Sequence, residues 1–437
     1  MTDFTAKRIE FAPFKRRRVD VSFDGGDVSS DGGVLLIRQL DRRLGLLDAV
    51  AKALTDSRDP QRVTHTLTDL LRQRVFGLVQ GYEDLNDHAA LRIDPLMQSA
   101  CERDTALASA PTLCRLENRA TRSAAWAMHR VMLEQFIASF KHAPEELVLD
   151  FDATDDPLHG KQEGRFFHGY YDSYCYLPLY VFCGEQLLVA YLRPSKIDGA
   201  QHAWAVLALL VKRLRQAFPA VRIVLRGDSG FCRDRMLRWC EHHDVGYCVG
   251  LAKNARLNAA TATDRMQLAQ AFVNTGSKQR AITELRYAAH SWRGERRVIA
   301  RLEHMEQGDN PRYIVTNLEG DARGLYEDLY CARGEMENRI KEAQLGLFAD
   351  RTSCHYFAAN QFRLLLSSLA YILIERLRTL ALSATEFARL QATTLRSKLL
   401  KIGAVILRNT RRVRVLLSSA FPYQALFLAA TRALDST

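Results

Sequence analysis

Apolar positions in the first third of the chain recur at helical spacing. After the turn-forming run Gly26-Asp27-Val28-Ser29-Ser30-Asp31-Gly32-Gly33, the residues Leu35, Leu36, Leu40, Leu44 and Leu47 share one helical stripe, so a helix is expected from near Val34. The same periodicity predicts helices over about 61–81 and 112–140, separated by polar turns such as Glu83-Asp84-Leu85-Asn86-Asp87. Residues 1–142 therefore read as an all-helical domain.

At Glu146 the period drops to two. Leu147, Leu149 and Phe151 alternate with Val148, Asp150 and Asp152, which predicts a strand carrying carboxylates on one face. Two aromatic, β-prone runs follow, Tyr174 to Phe182 and Leu187 to Leu192, joined by the hairpin signal Cys183-Gly184-Glu185-Gln186. Trp204, Leu207, Val211, Leu214 and Phe218 then mark an amphipathic crossover helix, and Val221 to Leu225 a strand parallel to the first. A short helix around Met236, Leu237, Trp239 and Cys240 leads to a strand at Val245 to Leu251, completing the order βββαβαβ.

Three strand-like runs, Thr283 to Trp292, Arg297 to Leu302 and Arg312 to Val315, interrupt this rhythm and predict an all-β insertion over 256–320. Helix resumes over about 321–348 and in the apolar Leu364 to Leu380 segment. The chain, at 437 residues, is too long for one core, since single cores stop growing near ~250–300 residues. The expected parts are a helical N-terminal domain (1–142), a mixed α/β core in two pieces (143–255 and 321–385), the β insertion (256–320) and a basic C-terminal region (386–437). Leu364 to Ile374, the longest apolar run, contains Ser367 and Ser368 and stops at Glu375, short of the ~20 residues that cross a bilayer, so no membrane span is expected.

Lysine and arginine total 61 against 50 acids, and the net charge of +11 points to a polyanionic partner. The charge is clustered. Lys15 to Arg18 form one block, and Arg396, Lys398, Lys401, Arg408, Arg411, Arg412 and Arg414 lie in a stretch without Asp or Glu. The nine cysteines include no C-x-x-C pair and read as reduced thiols; Cys240, His242, His243 and Cys248 match no standard zinc spacing and read better as a helix end followed by a strand. Met1-Thr2-Asp3-Phe4, followed by the basic block, lacks the order of a secretory signal, so a cytoplasmic location is expected. No G-x-x-x-x-G-K-[ST] motif occurs, which argues against a nucleotide-driven motor.

Strand-end carboxylates carry the candidate chemistry. An ionised carboxylate buried alone loses several kcal/mol of hydration, so Asp152 and Asp228 must meet a cation, a metal or solvent. Asp228 follows directly on a parallel strand, at the edge where open α/β sheets bind ligands. Two carboxylates converging there suit Mg²⁺, which takes a few hard oxygens and keeps waters for a phosphate to displace. At ~100° per residue, Tyr330, Arg333, Glu337, Lys341 and Gln344 fall within a stripe of about 80° on a helix, with Glu335 and Glu342 on the other side, making Glu337 the third ligand. Asp150 shares a strand face with Asp152 and is the alternative first ligand; Asp155 and Asp156 precede Pro157 and read as turn residues.

With these residues in place the chain resembles the DDE transposases of bacterial insertion sequences, specifically the insertion sequence 1380 family. The resemblance is carried by Leu149-Asp150-Phe151-Asp152-Ala153-Thr154-Asp155-Asp156 with His159-Gly160 and Gln162, by Leu225-Arg226-Gly227-Asp228-Ser229-Gly230-Phe231, and by Tyr330-x2-Arg333-Gly334-x2-Glu337 with Ile340-Lys341-Glu342. Phe23-Asp24-Gly25-Gly26 to Asp31-Gly32-Gly33 and Arg411-Arg412-Val413-Arg414 to Phe421-Pro422-Tyr423-Gln424 look like the two ends of that family, so nearly the full length is covered.

The resemblance implies an RNase H-like core in which Asp152, Asp228 and Glu337 hold two Mg²⁺ ions, with Mn²⁺ able to substitute. It implies cleavage at transposon ends and joining of those ends to target DNA. The partners implied are double-stranded terminal inverted repeats, target DNA and a second copy of the chain or more. Arg333 would pair with a DNA phosphate or brace Glu337, and Tyr330 would orient a phosphate, with helix packing the alternative for both. The wider superfamily pattern has lysine where Gln344 stands, and Lys341, one turn closer, is the candidate replacement in touching DNA. Arg411, Arg412 and Arg414 are candidates for further DNA contact. Trp292 could stack on a flipped base, although a core tryptophan is the simpler reading. Two other functions fit the same residues: an RNase H-like nuclease selective for DNA structure, and a DNA-binding repressor without catalysis.

Overall fold

Nine strands form one mixed sheet that carries the candidate chemistry. In the computed structural model, which describes residues 9–435, these are β1 (Glu146–Ala153), β2 (Leu179–Cys183), β3 (Gln186–Tyr191), β4 (Arg222–Gly227), β5 (Gly246–Leu251), β6 (Gln279–Tyr287), β7 (Arg296–Met305), β8 (Gly308–Asp309) and β9 (Arg312–Thr316). They are ordered β6-β7-β9-β5-β4-β1-β2-β3, with β8 pairing on β7. β1, β4 and β5 run parallel, and the other pairings are antiparallel. The leader reading at Met1–Phe4 lies outside the described residues.

Alternation along the strands sets the two faces. Leu147, Leu149 and Phe151 of β1, Ile223 and Leu225 of β4, and Tyr247 and Val249 of β5 point into the main core. There they meet Leu207, Val211 and Leu214 of the crossover helix Ala203–Ala217 and Met236, Leu237 and Cys240 of the helix Asp234–His242. Each such side chain contributes about 1.5–3 kcal/mol on full burial. On the opposite face Cys248, Ile299 and Ile314 are covered by Ala322 and Tyr326. The strand pattern that predicts βββαβαβ from Glu146 to Leu251 is thus realised, with one change. The run Tyr174 to Phe182 breaks at Leu177-Pro178, because proline has no N–H to give to a ladder. Its first half, Ser173–Tyr176, pairs instead with Asp156–Pro157 and Phe166–His168 in a separate three-stranded sheet.

The expected all-β insertion over 256–320 needs correction. It opens with helices Ala255–Ala260 and Ala262–Thr275, and its strands extend the central sheet instead of forming a body of their own. β9 takes the free side of β5, pairing Val249 with Val315 and Gly250 with Ile314, so the N–H and C=O groups of that strand do not end at an open edge. The Ala262–Thr275 helix buries none of its residues, which is why its apolar positions make no legible stripe.

Compactness divides the chain into two units, Ala120–Ser368 and a second one joining the residues up to Arg119 with those from Leu369 onward. In the second unit, helices Val34–Leu44, Leu46–Ala53, Leu67–Gln80, Pro95–Ala100 and Ala110–Asn118 accompany the C-terminal helix Gln424–Asp435. It is not all helical. Ile9–Phe14 and Arg17–Val21 form a hairpin in which Ile9 faces Val21 and Phe11 faces Val19, so the basic block Lys15 to Arg18 lies at its turn. Val28–Ser29 joins Ala404–Asn409 and Arg412–Leu417 in a small sheet. Between these two ends of the chain, a Cβ on Gly33 would collide with Leu400 Cα, and buried Asp31 accepts from Lys401 Nζ at 2.6 Å and Tyr82 Oη at 2.8 Å.

The helix Phe357–Ala381 is, at 25 residues, long and apolar enough to cross a membrane, longer than the run of Leu364 to Ile374 suggests. It is a buried core helix here: 89% of its most apolar stretch is covered by protein, and Asn360, Gln361, Glu375 and Arg378 are buried along it.

Candidate active site

Parallel pairing of β1 and β4 puts Phe151 opposite Gly227, so the next residues, Asp152 and Asp228, stand side by side at adjoining strand ends. Each carboxylate is oriented by its own backbone. Asp152 Oδ1 accepts from Ala153 N at 2.8 Å, and Asp228 Oδ1 accepts from Gly230 N at 2.9 Å as the cap of a short helical turn. The third acid comes from the helical run that covers this face. That run opens into wide i→i+5 turns at Leu325–Tyr330 and Glu342–Gly346, with a tight turn at Cys331–Arg333 and regular helix at Gly334–Lys341 between them. Such wide turns recur at functional sites. Met336 and Ile340 bury one side of the regular segment and leave Glu337 exposed.

Arg333 links two of the acids, Asp152 and Glu337. Its Nη1 lies 3.3 Å from Asp152 Oδ2 and its Nη2 3.0 Å from Glu337 Oε1. Burial, opposed by Arg333 and reinforced by the charges of Asp228 and Glu337, pushes the Asp152 carboxyl up to about 6. For Arg333, burial alone would favour the neutral form, but Asp152, Tyr330 and Glu337 outweigh it and raise its pKa. Burial also raises the Tyr330 hydroxyl. This hydroxyl reaches the sheet only because residue 250 is glycine: a Cβ there would stand 2.6 Å from Tyr330 Oη and 2.8 Å from Ser229 N.

Asp150, the alternative first ligand, is engaged elsewhere. It is buried and receives both Nε and Nη2 of Arg226, its cross-strand partner on β4, the second at 2.7 Å, while Arg226 Nη1 also donates to Leu329 O at 2.5 Å. Asp156 is buried too, bonded to Thr352 Oγ1 at 3.0 Å and raised well above the usual carboxylate range by burial. Gln344, at the position of the superfamily lysine, donates to Asp155 O at 3.1 Å, while Lys341 is exposed on the same helical run.

Other sequence candidates separate by role. Trp292 packs against the main core, edge-on to Tyr287 with Arg296 over its ring at 4.9 Å. Of the basic C-terminal stretch, Arg396 donates to Val79 O and Leu78 O, Lys401 holds Asp31, and Arg408 donates to Gln98 Oε1; these are internal brackets. Arg411, Arg412 and Arg414 are exposed on the Ala404–Asn409/Arg412–Leu417 hairpin of the other unit. Cys240 and Cys248 are buried, and His243 stacks on Trp239.

In donor chemistry the site suits a hard divalent cation. Two of the three carboxylates, Asp152 and Glu337, meet one guanidinium, which holds the place of a cation between them. No three His, Cys, Asp or Glu side chains among the described residues close around a single metal position. A pocket of about 500 Å³ adjoins the acids, bounded by Asp228, Gly250, Tyr330 and Arg333 and extending over Arg301 and Arg312. Nothing along the chain signals these last two, because only the pairing of β7 with β9 brings them beside Asp228.

Comparison with known proteins yields a family and similar solved structures. A model of the family described as transposase DDE domain group 1 matches residues 11–437. A solved structure, the piggyBac transposase synaptic complex with hairpin DNA, aligns over 94% of this chain and 82% of that chain at 9% identity, with a TM-score of 0.41. No curated protein matches.

Proposed function

The chain belongs to the DDE transposases of domain group 1, and from that premise we propose that it cleaves and joins DNA with Asp152, Asp228 and Glu337 as its acidic residues. The observation that carries this reading is the register Phe151–Gly227, which sets Asp152 beside Asp228, together with the Arg333 link from Asp152 to Glu337. The sheet segment β3-β2-β1-β4-β5, in which β2 alone runs against the other four, supports an RNase H-like core. The substrate we assign is duplex DNA: the terminal inverted repeats of an insertion sequence, of the 1380 type by the motifs quoted above, and then a target site. A dimer or larger assembly would bring two ends together.

Asp152, Asp228 and Glu337 would hold Mg²⁺, which when bound lowers the pKa of a water or a DNA 3′-hydroxyl and stabilises the departing oxygen. The chain's own contributions are distinct. Asp152, with its pKa near 6, is ionised at neutral pH and able to bind a cation. Arg333 pairs with both Asp152 and Glu337, and its planar fork suits a DNA phosphate. Arg226 holds Asp150 and the carbonyl of Leu329, fixing the strand below Asp152 to the helical run that bears Arg333 and Glu337.

Incubating the protein with Mg²⁺ and a supercoiled plasmid carrying matched candidate ends tests the proposal. Excision followed by insertion is expected, with loss of both in Asp152→Asn, Asp228→Asn and Glu337→Gln. Cutting at branched DNA without insertion would mark a nuclease instead, and undiminished excision by Asp228→Asn would remove the assignment.

A further inference from the structure

Beside Asp228, the sheet places two arginines in direct apposition. β7 and β9 pair antiparallel with Arg301 opposite Arg312, on the same face as Ile299, Ile314 and Gly250. Like charges directly opposite each other destabilise a ladder. Arg301 shares its one carboxylate with two other cations: it meets Glu303 Oε2 at 3.5 Å, while Lys278 at 2.9 Å and Arg280 at 2.8 Å hold Oε1, and Arg301 Nε is buried without a hydrogen-bond partner. Arg312 is exposed and has no ion-pair partner among the described residues, and the same holds for Lys253, two residues beyond the end of β5.

All three cations border the pocket of about 500 Å³ that contains Asp228 and Arg333 in its wall. One acid among its lining faces four cations, so the pocket is positive although it adjoins a carboxylate cluster. Tyr326 packs against Arg301, whose guanidinium carbon lies 5.2 Å from the ring centroid, and limits where that side chain can turn. A repulsive pair is kept in an otherwise well-packed sheet, which makes sense if a multiply charged anion sits between the two guanidinium groups.

We propose that Arg301, Arg312 and Lys253 form a phosphate-binding pocket that holds a backbone phosphate of the DNA strand next to the linkage being cut. The assignment rests on the functional reading above, which makes a DNA strand the occupant. It adds residues outside the acidic triad that fix how the strand lies. A phosphate between Arg301 and Arg312 would relieve their repulsion.

Two measurements on the full chain in EDTA test this without relying on cleavage. The first compares thermal unfolding in chloride and in inorganic phosphate at equal ionic strength, for wild type, Arg312→Gln and Lys253→Gln. Phosphate is expected to raise the unfolding temperature of wild type, and clearly less that of Arg312→Gln, which in chloride should be at least as stable as wild type because the repulsion is gone. The second measures binding of a fluorescent single-stranded oligonucleotide. The double variant Arg312→Gln/Lys253→Gln should lose about tenfold in affinity, and its log–log salt slope should flatten by about 0.7 for each phosphate no longer neutralised.

If phosphate stabilisation depends on Arg312 but oligonucleotide binding does not, the pocket takes free phosphate and its assignment to the DNA strand is overturned. If Arg312→Gln responds to phosphate and the double variant binds the oligonucleotide as wild type does, the pocket is not a phosphate site at all. A protein that passes both tests yet never cuts a plasmid would contradict the proposed function and leave the pocket standing.

Discussion

Replacing Asp152 by asparagine should stabilise the metal-free protein at neutral pH, even though it removes a residue assigned to catalysis. Unfolded, an aspartate titrates near ~3.9. Folded, Asp152 titrates at about 6, chiefly because it is buried, with Arg333 opposing and Asp228 and Glu337 adding to the rise. The folded state therefore binds more protons than the unfolded state between about pH 4 and 6, so stability falls as pH rises through that window and the whole penalty is present above it. The difference between the folded and unfolded carboxyl amounts to about 3 kcal/mol at pH 7 and above, and about half of that near pH 5. The side chain is only 14% exposed, so solvent screening takes little from this figure. Asparagine keeps the shape without the charge and leaves Arg333 its bond to Glu337. For a unit of this size the gain corresponds to ~6–12 °C in Tm. Scanning calorimetry in EDTA at several pH values should show the asparagine protein level with wild type near about pH 4 and ahead of it by a growing margin up to about pH 6. Added Mg²⁺ should then stabilise wild type alone. A gap that ignores pH, or an asparagine protein less stable at neutral pH, would refute the electrostatic reasoning.

Three other outcomes are expected. Gly250→Ala forces a methyl within 2.6 Å of Tyr330 Oη and 2.8 Å of Ser229 N, so it should cost about 1–3 kcal/mol in chemical denaturation and abolish plasmid cleavage by displacing the turn that bears Asp228. Arg226→Met leaves the buried Asp150 charge without its partner and should destabilise by about 3–5 kcal/mol in urea, most of it recovered in the double variant Asp150→Leu/Arg226→Met; equal losses in both would contradict the ion-pair account. Replacing Arg411, Arg412 and Arg414 by glutamine should weaken duplex DNA binding in anisotropy titrations and reduce the salt slope by about 0.9 for each phosphate left without its arginine, whereas Arg408→Gln, which loses a bond to Gln98, should change thermal stability more than DNA affinity.

Local alternation is what the sequence displays well. The strand bearing Asp152, the hairpin across Cys183 to Gln186 and the crossover helix before Asp228 each carry their periodicity within a few residues, and each is present in the fold. Pairing is what it hides. Asp150 and Asp152 have the same parity and cannot be told apart along the strand; the difference lies in Arg226, which becomes the cross-strand partner of Asp150 only when β4 docks in register. The apposition of Arg301 and Arg312 is hidden in the same way, since nothing in either run alone shows that they meet. Charge counting fails for a related reason. Arg396 and Arg411 look alike in a basic stretch, yet one closes the carbonyl end of the Leu67–Gln80 helix and the other stands in solvent. The helix Ala262–Thr275 is illegible because it buries no residue and so presents no stripe.

DNA cleavage as proposed requires Asp152, Asp228 and Glu337 to share divalent cations, and anomalous diffraction from manganese-soaked crystals addresses that directly. Manganese peaks within coordinating distance of all three carboxylates, with Arg333 withdrawn from Asp152, are the predicted result. Peaks lying elsewhere, with Arg333 still bridging Asp152 and Glu337 at saturating metal, would contradict it.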